Sequence, residues 1–178
     1  IRNNELLENT VTDFSPDIVF HLAAQPLVRE SYLRPVNTWS TNVMGTISIL
    51  EAIRKLKKKV IFIGITTDKV YHNNEWIYGY RENDSLGGDD PYSSSKAAAE
   101  LAINAWKNSF AFNSQVFISS ARAGNVIGGG DWAPNRIIPD CIKSWMNNEE
   151  VILRNPLSTR PWQHVLEPLS GYLLLGQL

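Results

Sequence analysis

The sequence is poor in cysteine: among its 178 residues there is one, Cys141. A single thiol excludes an intrachain disulfide and is typical of a protein of a reducing compartment. No apolar run reaches the length that crosses a bilayer. These features favour a cytoplasmic protein that has no membrane partner.

The sequence also lacks an excess of either charge. Its 17 Lys and Arg residues are balanced by 18 Asp and Glu residues, for a formal net charge of −1. Nucleic acids attract proteins through basic fields, which such a chain does not generate. We therefore expect no nucleic-acid partner. The length is sufficient for a domain with its own hydrophobic core.

Metal-binding side chains are sparse as well. None of the three histidines has a second histidine or a cysteine at metal-ligand spacing, so we expect no metal site. The glycines do not form the dinucleotide-binding pattern G-x-G-x-x-G, because the run Gly128–Gly130 does not quickly open a helix.

What the sequence does contain is an alternation of apolar runs and helical patterns. Three short apolar runs are typical of strands buried on both faces, namely Asp17–Ala24, Val60–Ile65 and Gln115–Arg122. Between them we predict helices over Asn42–Lys59 and Ser93–Phe110, the second capped by its opening serines. This order indicates an α/β fold with a parallel sheet and right-handed crossovers.

The pattern changes after Asn125. We predict a turn over Gly128–Asp131, a helix over Ile137–Met146 and a short strand over Val151–Arg154. Segments of this kind extend beyond the strand ends, where α/β proteins bind ligands.

Tyr92 and Lys96 form a candidate catalytic pair. They lie four residues apart at the start of a predicted helix, so both side chains project from one face. An ammonium group beside a phenol stabilises the phenolate, which can take a proton from a substrate hydroxyl while hydride leaves the carbon. The spacing alone is a weak signal, because any helix can hold Tyr-x-x-x-Lys by chance.

Thr67, Asp68 and Lys69 follow a buried strand, at the end where open α/β sheets place ligands. A shielded and partly protonated carboxyl group at Asp68 can serve as a general acid. The alternative is that Asp68 and Lys69 only begin a turn, and taken alone these residues favour that alternative.

Two further segments are candidate ligand contacts. His21–Gln25 ends a strand in small residues, which lets a flat ligand pass close to the backbone. Arg160 lies in a turn rich in Pro and Trp, and arginine suits bidentate phosphate binding. An ordinary surface arginine is an equally good interpretation.

Several motifs occur here in an order and spacing that resemble the extended short-chain dehydrogenase/reductase family, and within it the nucleotide-sugar 4,6-dehydratases. They are HLAAQ (from His21), TNVMGT (from Thr41), TTDK (from Thr66), YSSSK (from Tyr92), RAGNVIGGGDW (from Arg122) and RPWQHV (from Arg160). The resemblance covers essentially the whole chain, and several motifs in order are more specific than any one. It implies a Rossmann-like, doubly wound parallel sheet, NAD as cofactor and a nucleotide sugar as substrate.

The resemblance also implies roles for five residues. Tyr92, aided by Lys96, removes the proton from the C4 hydroxyl of the sugar while hydride passes to NAD⁺, and Thr67 hydrogen-bonds the C4 oxygen. Asp68 protonates the departing C6 hydroxyl. Lys69 stands where related enzymes carry Glu and takes the C5 proton. Lys69 can act as a base only if burial or nearby cations lower its affinity for a proton.

Binding residues follow from the same resemblance. Those implied for NAD are Leu22, Ala23, Ala24, Gln25, Pro26, Thr41, Tyr92 and Lys96. Those implied for the substrate are Thr67, Asn125, Arg136, Ile152, Leu153, Arg154 and Arg160. Arg136 and Arg160 are expected to hold the diphosphate, and the segment 152–154 is expected to border the nucleotide.

The resemblance implies that the sequence is an internal fragment. Residues 1–126 correspond to the C-terminal part of an NAD-binding domain without its glycine-rich turn, and residues 127–178 to the truncated beginning of a substrate-binding region. We expect the complete protein to form a homodimer, and the fragment alone to bind NAD poorly and to turn over little.

Two other interpretations stay open. A nucleotide-sugar 4-epimerase or reductase needs only the Tyr-Lys pair, and it typically carries a small residue where this chain has Asp68. A non-enzymatic dinucleotide-binding protein of this fold is expected to lose Tyr92 or Lys96, and both are present.

Overall fold

The computed structural model describes residues 1–178, which divide into two compact units. The first unit comprises Ile1–Ala123 and Gly171–Leu178, and the second comprises Gly124–Ser170. From the sequence we expect an NAD-binding domain over residues 1–126 and a substrate-binding region over residues 127–178. The compact units carry no information about these roles, so this division stays a prediction.

Three parallel strands form the sheet of the first unit, in the order β1 (Ile18–His21), β2 (Val60–Thr67) and β3 (Val116–Ala123). The predicted strands and their parallel pairing are confirmed. The central strand β2 is buried on both faces, as its continuous apolar run predicts: the consecutive residues Phe62 and Ile63, which point to opposite faces, are 0% and 1% exposed. Because all three strands run the same way, their carboxyl ends lie at one edge of the sheet.

Seven α-helices accompany the strands. They are α1 (Asn4–Phe14), α2 (Val28–Leu33), α3 (Pro35–Trp39), α4 (Gly45–Lys55), α5 (Pro91–Ser114), α6 (Ile137–Met146) and α7 (Leu166–Gln177). Within the first unit, α4 and α5 pack on β2 through a core that includes Leu50, Ile53 and Ile103. None of the helices is both long enough and apolar enough to cross a membrane.

The first long helix predicted from the sequence differs from the observed one at both ends. Its expected start at Asn42 falls within a π-helical turn, Ser40–Met44, that joins α3 to α4. In this turn the N–H of Gly45 bonds the carbonyl of Ser40, five residues earlier. The helix ends at Lys55 rather than at Lys59.

The predicted serine cap of α5 is wrong. Asp90 caps the helix instead: its Oδ1 accepts hydrogen bonds from the backbone N–H groups of Tyr92 (2.9 Å) and Ser93 (3.0 Å). Aspartate followed by Pro91 is a strong helix start, because the proline needs no N–H partner in the first turn. Ser93 and Ser95 therefore lie within the helix rather than before it, and both are buried.

The second unit contains a two-stranded parallel sheet of β4 (Asn125–Ile127) and β5 (Trp162–His164), together with α6. The predicted helix Ile137–Met146 and a turn at residues 129–130 are confirmed. The strand expected over Val151–Arg154 is wrong, because these residues have no neighbouring strand that could supply backbone hydrogen bonds.

Candidate functional site

Thr67, Asp68 and Lys69 form a hydrogen-bonded group at the carboxyl end of β2. Asp68–Val70 is a short 3₁₀ turn, and the Thr67 hydroxyl donates to Asp68 Oδ1 at 3.0 Å. Lys69 Nζ lies 3.1 Å from the same oxygen. Both side chains of this ion pair are about one-third exposed. An acid and an amine therefore stand side by side where a ligand can reach them.

Tyr92 and Lys96 lie in the first two turns of α5, and both are buried. Lys96 Nζ donates a hydrogen bond to the carbonyl oxygen of Ile65 on β2, at 2.9 Å. Burial lowers the pKa of Lys96 to about 8, although the Glu100 carboxylate opposes this shift. Lys96 therefore joins the helix of the candidate catalytic pair to the strand that ends in Thr67, and its charge changes close to neutral pH.

A buried ion pair that was not predicted from the sequence lies one turn further along α5. Glu100 accepts two hydrogen bonds from Arg122, Nε to Oε1 and Nη2 to Oε2, both 2.8 Å. Thr66 also donates to Glu100 Oε1. Burial alone would raise the pKa of Glu100, but hydrogen bonds from Arg122 and Thr66 lower it, so the carboxylate stays ionised.

His21, at the end of β1, is buried and neutral. Its Nε2 lies 2.9 Å from the hydroxyl of Thr46, which itself donates to the carbonyl of Asn42. A hydroxyl has one proton to give, so His21 must donate from Nε2. Burial, reinforced by the charge of Lys96, lowers the pKa of His21 to about 4.

Asn42 fixes the loop that follows β1. Its Oδ1 accepts from the backbone N–H of Gln25 (2.7 Å), and its Nδ2 donates to the carbonyl of Gln25 (3.2 Å). The same Nδ2 donates to Ser95 Oγ on α5, at 2.9 Å. Thr41 was singled out from the sequence and Asn42 was not. The signal that could have identified Asn42 is a polar amide at the start of a mainly apolar helical pattern, because a polar group buried there needs hydrogen-bond partners.

The loop Leu22–Pro26 fits the expectation of a flat ligand lying on the backbone. Leu22, Ala23 and Pro26 are exposed, and Ala24 and Gln25 are half-buried. Gln25 holds the loop from within by donating to Thr38 Oγ1 at 2.8 Å. The exposed residues of this loop are open to a ligand, and Gln25 fixes the loop's conformation.

A cleft of about 520 Å³ lies within the second unit. It brings together five of the residues expected to bind substrate, which are Asn125, Ile152, Leu153, Arg154 and Arg160. The apolar side chains of the wrongly predicted strand thus border a cavity rather than a sheet. The side-chain oxygen of Asn125 is buried without a hydrogen-bond partner.

The remaining expected substrate residue of this unit does not line the cleft. Arg136 Nη1 pairs with Asp131 Oδ2 at 2.7 Å. Burial alone would raise the pKa of Asp131, but the backbone N–H of Ala133 and the charge of Arg136 lower it. Of the two arginines that line the cleft, Arg154 bonds the side chain and carbonyl of Asn135, each at 3.3 Å, and Arg160 bonds the carbonyl of Thr159.

The fold and these motifs agree with comparisons to known proteins. The sequence profile described as GDP-mannose 4,6-dehydratase matches residues 1–177. The chain belongs to this family of nucleotide-sugar-modifying enzymes.

Among individual proteins, the chain is similar to CDP-glucose 4,6-dehydratase from Salmonella typhimurium, at 56% identity over 99% of this chain and 51% of that protein. It is also similar to the solved dTDP-glucose 4,6-dehydratase from Bacillus anthracis in complex with NAD (TM-score 0.82, 25% identity, 98% of this chain and 52% of that one). UDP-glucose 4-epimerase from Thermotoga maritima, solved with UDP-glucose, shares the fold (TM-score 0.87, 24% identity, 97% and 56%). The chain spans about half the length of the curated relatives it matches.

Proposed function

We propose that the complete protein containing this chain is a CDP-glucose 4,6-dehydratase, a hydro-lyase that uses NAD. It would convert CDP-glucose to CDP-4-keto-6-deoxyglucose. The observation that carries the proposal is the Asp68–Lys69 pair at the end of β2, the strand to which Lys96 is bonded. Oxidation and reduction at C4 need only the Tyr-Lys pair, whereas elimination of water needs an additional acid and an additional base.

NAD fits the loop after β1, where Leu22–Pro26 and Thr41 would hold it beside Tyr92 and Lys96. When bound, it would accept hydride from C4 and return it to C6. Asn42 supports this loop and α5 together through Gln25 and Ser95.

In the oxidation step, the phenolate of Tyr92, stabilised by the Lys96 ammonium, takes the proton of the C4 hydroxyl. Thr67 hydrogen-bonds the C4 oxygen. The bond from Lys96 to the Ile65 carbonyl limits where the ammonium can lie, so its charge has a defined position.

In the elimination step, the keto group makes the C5 proton acidic. Asp68 protonates the C6 hydroxyl, which departs as water, and Lys69 takes the C5 proton and returns it to C5 when hydride is delivered to C6. Asp68 Oδ1 and Lys69 Nζ lie 3.1 Å apart, so both groups stand close enough to act on adjacent carbons of one sugar. Elimination requires the acid form of Asp68 and the free amine of Lys69.

The cleft of the second unit would bind the CDP portion. Arg154 and Arg160 supply positive charge for the diphosphate, and Ile152 and Leu153 supply apolar surface for the nucleotide. The buried, unpartnered oxygen of Asn125 offers an acceptor for a substrate hydroxyl. Arg136 would join the diphosphate only by leaving or sharing Asp131. We further propose that the complete protein is cytoplasmic, which the single cysteine supports, and that it forms a homodimer.

The test uses the complete protein with NAD⁺ and CDP-glucose, followed by product mass and by NADH absorbance. We expect loss of one water from the substrate. Asp68→Asn should abolish this loss and still form some NADH, because oxidation does not use Asp68. Asp89→Asn, on an exposed loop residue, is the matched control.

An unchanged mass with C4 inverted would establish an epimerase instead. The fold similarity to UDP-glucose 4-epimerase makes this the second candidate. Loss of water from dTDP- or GDP-glucose alone would keep the chemistry and overturn the proposed nucleotide.

A further inference from the structure

The buried pair of Glu100 and Arg122 connects the two groups of proposed catalytic residues. Glu100 is 5% exposed and lies one helical turn after Lys96, on the helix that also carries Tyr92. Arg122 lies near the end of β3, and its Nε and Nη2 donate to the two carboxylate oxygens of Glu100, each at 2.8 Å. This forked arrangement fixes direction as well as distance.

The pair reaches the residue that precedes the catalytic turn. Thr66, buried at the end of β2, donates its hydroxyl to Glu100 Oε1. Thr66 is followed directly by Thr67 and Asp68. The Glu100 carboxylate therefore restrains the chain just before the Asp68–Val70 turn.

The same pair also reaches the residue that follows the turn. The guanidinium of Arg122 lies over the ring of Tyr71, 4.7 Å from its centroid. Tyr71 in turn stacks on Tyr80 with ring centroids 5.0 Å apart. Arg122 Nη1 donates to the carbonyl of Glu82 at 3.1 Å. One ion pair thus holds the chain on both sides of Asp68 and Lys69.

We propose that Glu100 and Arg122 are positioning residues that fix Asp68 and Lys69 relative to Tyr92 and Lys96, so that elimination depends on them more than oxidation does. This inference rests on the proposed dehydratase function. It adds to that function a pair of residues that would act through the turn and not on C4, C5 or C6 of the sugar.

Physical considerations favour positioning over simple stabilisation. A buried ion pair loses hydration on both partners and often contributes no more stability than apolar residues of the same size. Tyr92 and Lys96 have supports of their own, namely the Asp90 cap and the bond from Lys96 to Ile65. The Asp68–Val70 turn is short; the Val70 carbonyl accepts the N–H of Gly87 at 2.8 Å, and the flanking residues Thr66 and Tyr71 both contact the ion pair.

The test is Arg122→Lys in the complete protein, which keeps the charge and removes the fork and the flat stacking surface. In single turnover with NAD⁺ and CDP-glucose, elimination should slow between about tenfold and about a hundredfold, as expected for small misplacements. Oxidation should be nearly unchanged, so enzyme-bound NADH accumulates. The matched control is Arg54→Lys, because Arg54 also makes a forked pair with Glu51 and lies 5.1 Å from the Phe110 ring.

A second comparison separates positioning from folding. Tyr71→Leu removes the stacking and leaves the ion pair, whereas Tyr71→Phe keeps an aromatic ring. We expect Tyr71→Leu to accumulate NADH and Tyr71→Phe to restore elimination. Amide hydrogen exchange of residues 67–71, measured without ligands, should be faster in Arg122→Lys and Tyr71→Leu and unchanged in Arg54→Lys.

Equal slowing of oxidation and elimination, or unchanged exchange of residues 67–71, would overturn the proposal. If the unmodified protein removes no water from any nucleotide sugar, the proposed function fails. In that case the exchange measurement still decides whether the pair orders the turn.

Discussion

Two opposing effects determine the pKa of Lys96. Burial lowers its pKa to about 8, and the carboxylate of Glu100, one turn away, opposes that shift. His21, whose own pKa is lowered by burial and by Lys96, contributes no charge near neutral pH. The ammonium that we propose supports the Tyr92 phenolate is therefore lost under mildly alkaline conditions.

This balance predicts the pH dependence of the oxidation step. For oxidation, kcat/KM should fall as the pH rises through an apparent pKa near 8, because Lys96 loses its proton there. Glu100→Gln removes the charge that raises the pKa of Lys96, so the alkaline decline should begin at lower pH. The measurement is the pH profile of NADH formation in the complete protein.

Glu51→Gln is the control for this experiment, since Glu51 carries a comparable paired carboxylate on α4. Its alkaline decline should match that of the unmodified protein. A decline that stays in place or moves to higher pH in Glu100→Gln would contradict the assignment.

Among the elements, α5 is held at its start by a close contact with the loop before it. Gly88 has a φ of +153°, and a Cβ at this position would lie 2.5 Å from the backbone nitrogen of Ser94. Its carbonyl accepts the Ser94 hydroxyl at 2.7 Å. Only glycine lets the loop approach the first turn of the helix so closely.

Gly88→Ala should therefore destabilise the protein and displace the start of α5. Backbone cannot give way as a flexible side chain can, so we expect a loss of roughly 1–3 kcal/mol in the free energy of unfolding. Urea unfolding of the complete protein measures this loss. Gly79→Ala, where a Cβ meets nothing within 4 Å, should have little effect. Equal stability of the two variants would contradict the contact.

The elements differ in how far the sequence predicts them. The run Val60–Ile65 reads as a buried strand because its apolar residues alone require burial on both faces. The run Val151–Arg154 reads equally well as a strand, yet pairing depends on a neighbour that its own residues do not specify. The cap of α5 was missed because serine and aspartate are both favoured capping residues. The serines stand just after Asp90, which accepts the N–H groups of the first turn.

The candidate site shows the same division. Tyr92 and Lys96 are recognisable because four residues of helix bring them onto one face. Glu100 has the right spacing as well, but within AAAELA it resembles an ordinary charged residue of an exposed helix face. Its partner Arg122 becomes a neighbour only when α5 and β3 pack together, which local periodicity does not encode.

At the scale of the whole molecule, the sheet of the first unit has strand β1 paired on one side only, with β2. Ile18 on this edge strand is 42% exposed. The sequence also contains no G-x-G-x-x-G turn, the element that binds a dinucleotide pyrophosphate at a helix N-terminus. The loop Leu22–Pro26, which we propose contacts NAD, is not such a turn.

We therefore predict that residues 1–178 by themselves bind NAD much more weakly than the complete protein. Titration calorimetry of both, at the same pH and salt concentration, measures the difference. Circular dichroism of the shorter chain controls for loss of folding. An NAD affinity of residues 1–178 close to that of the complete protein would show that the pyrophosphate contacts are dispensable.

The π-helical turn between α3 and α4 makes the number of residues in this helical segment important. Each residue of an α-helix advances about 100° around the axis, so the wider turn at Ser40–Met44 shifts the phase of everything after it. Thr38, before the turn, and Asn42, within it, both bond Gln25, whereas Leu50 and Ile53, after the turn, face the core. Removing one residue here would give a straighter helix that could satisfy either the loop or the core, but not both.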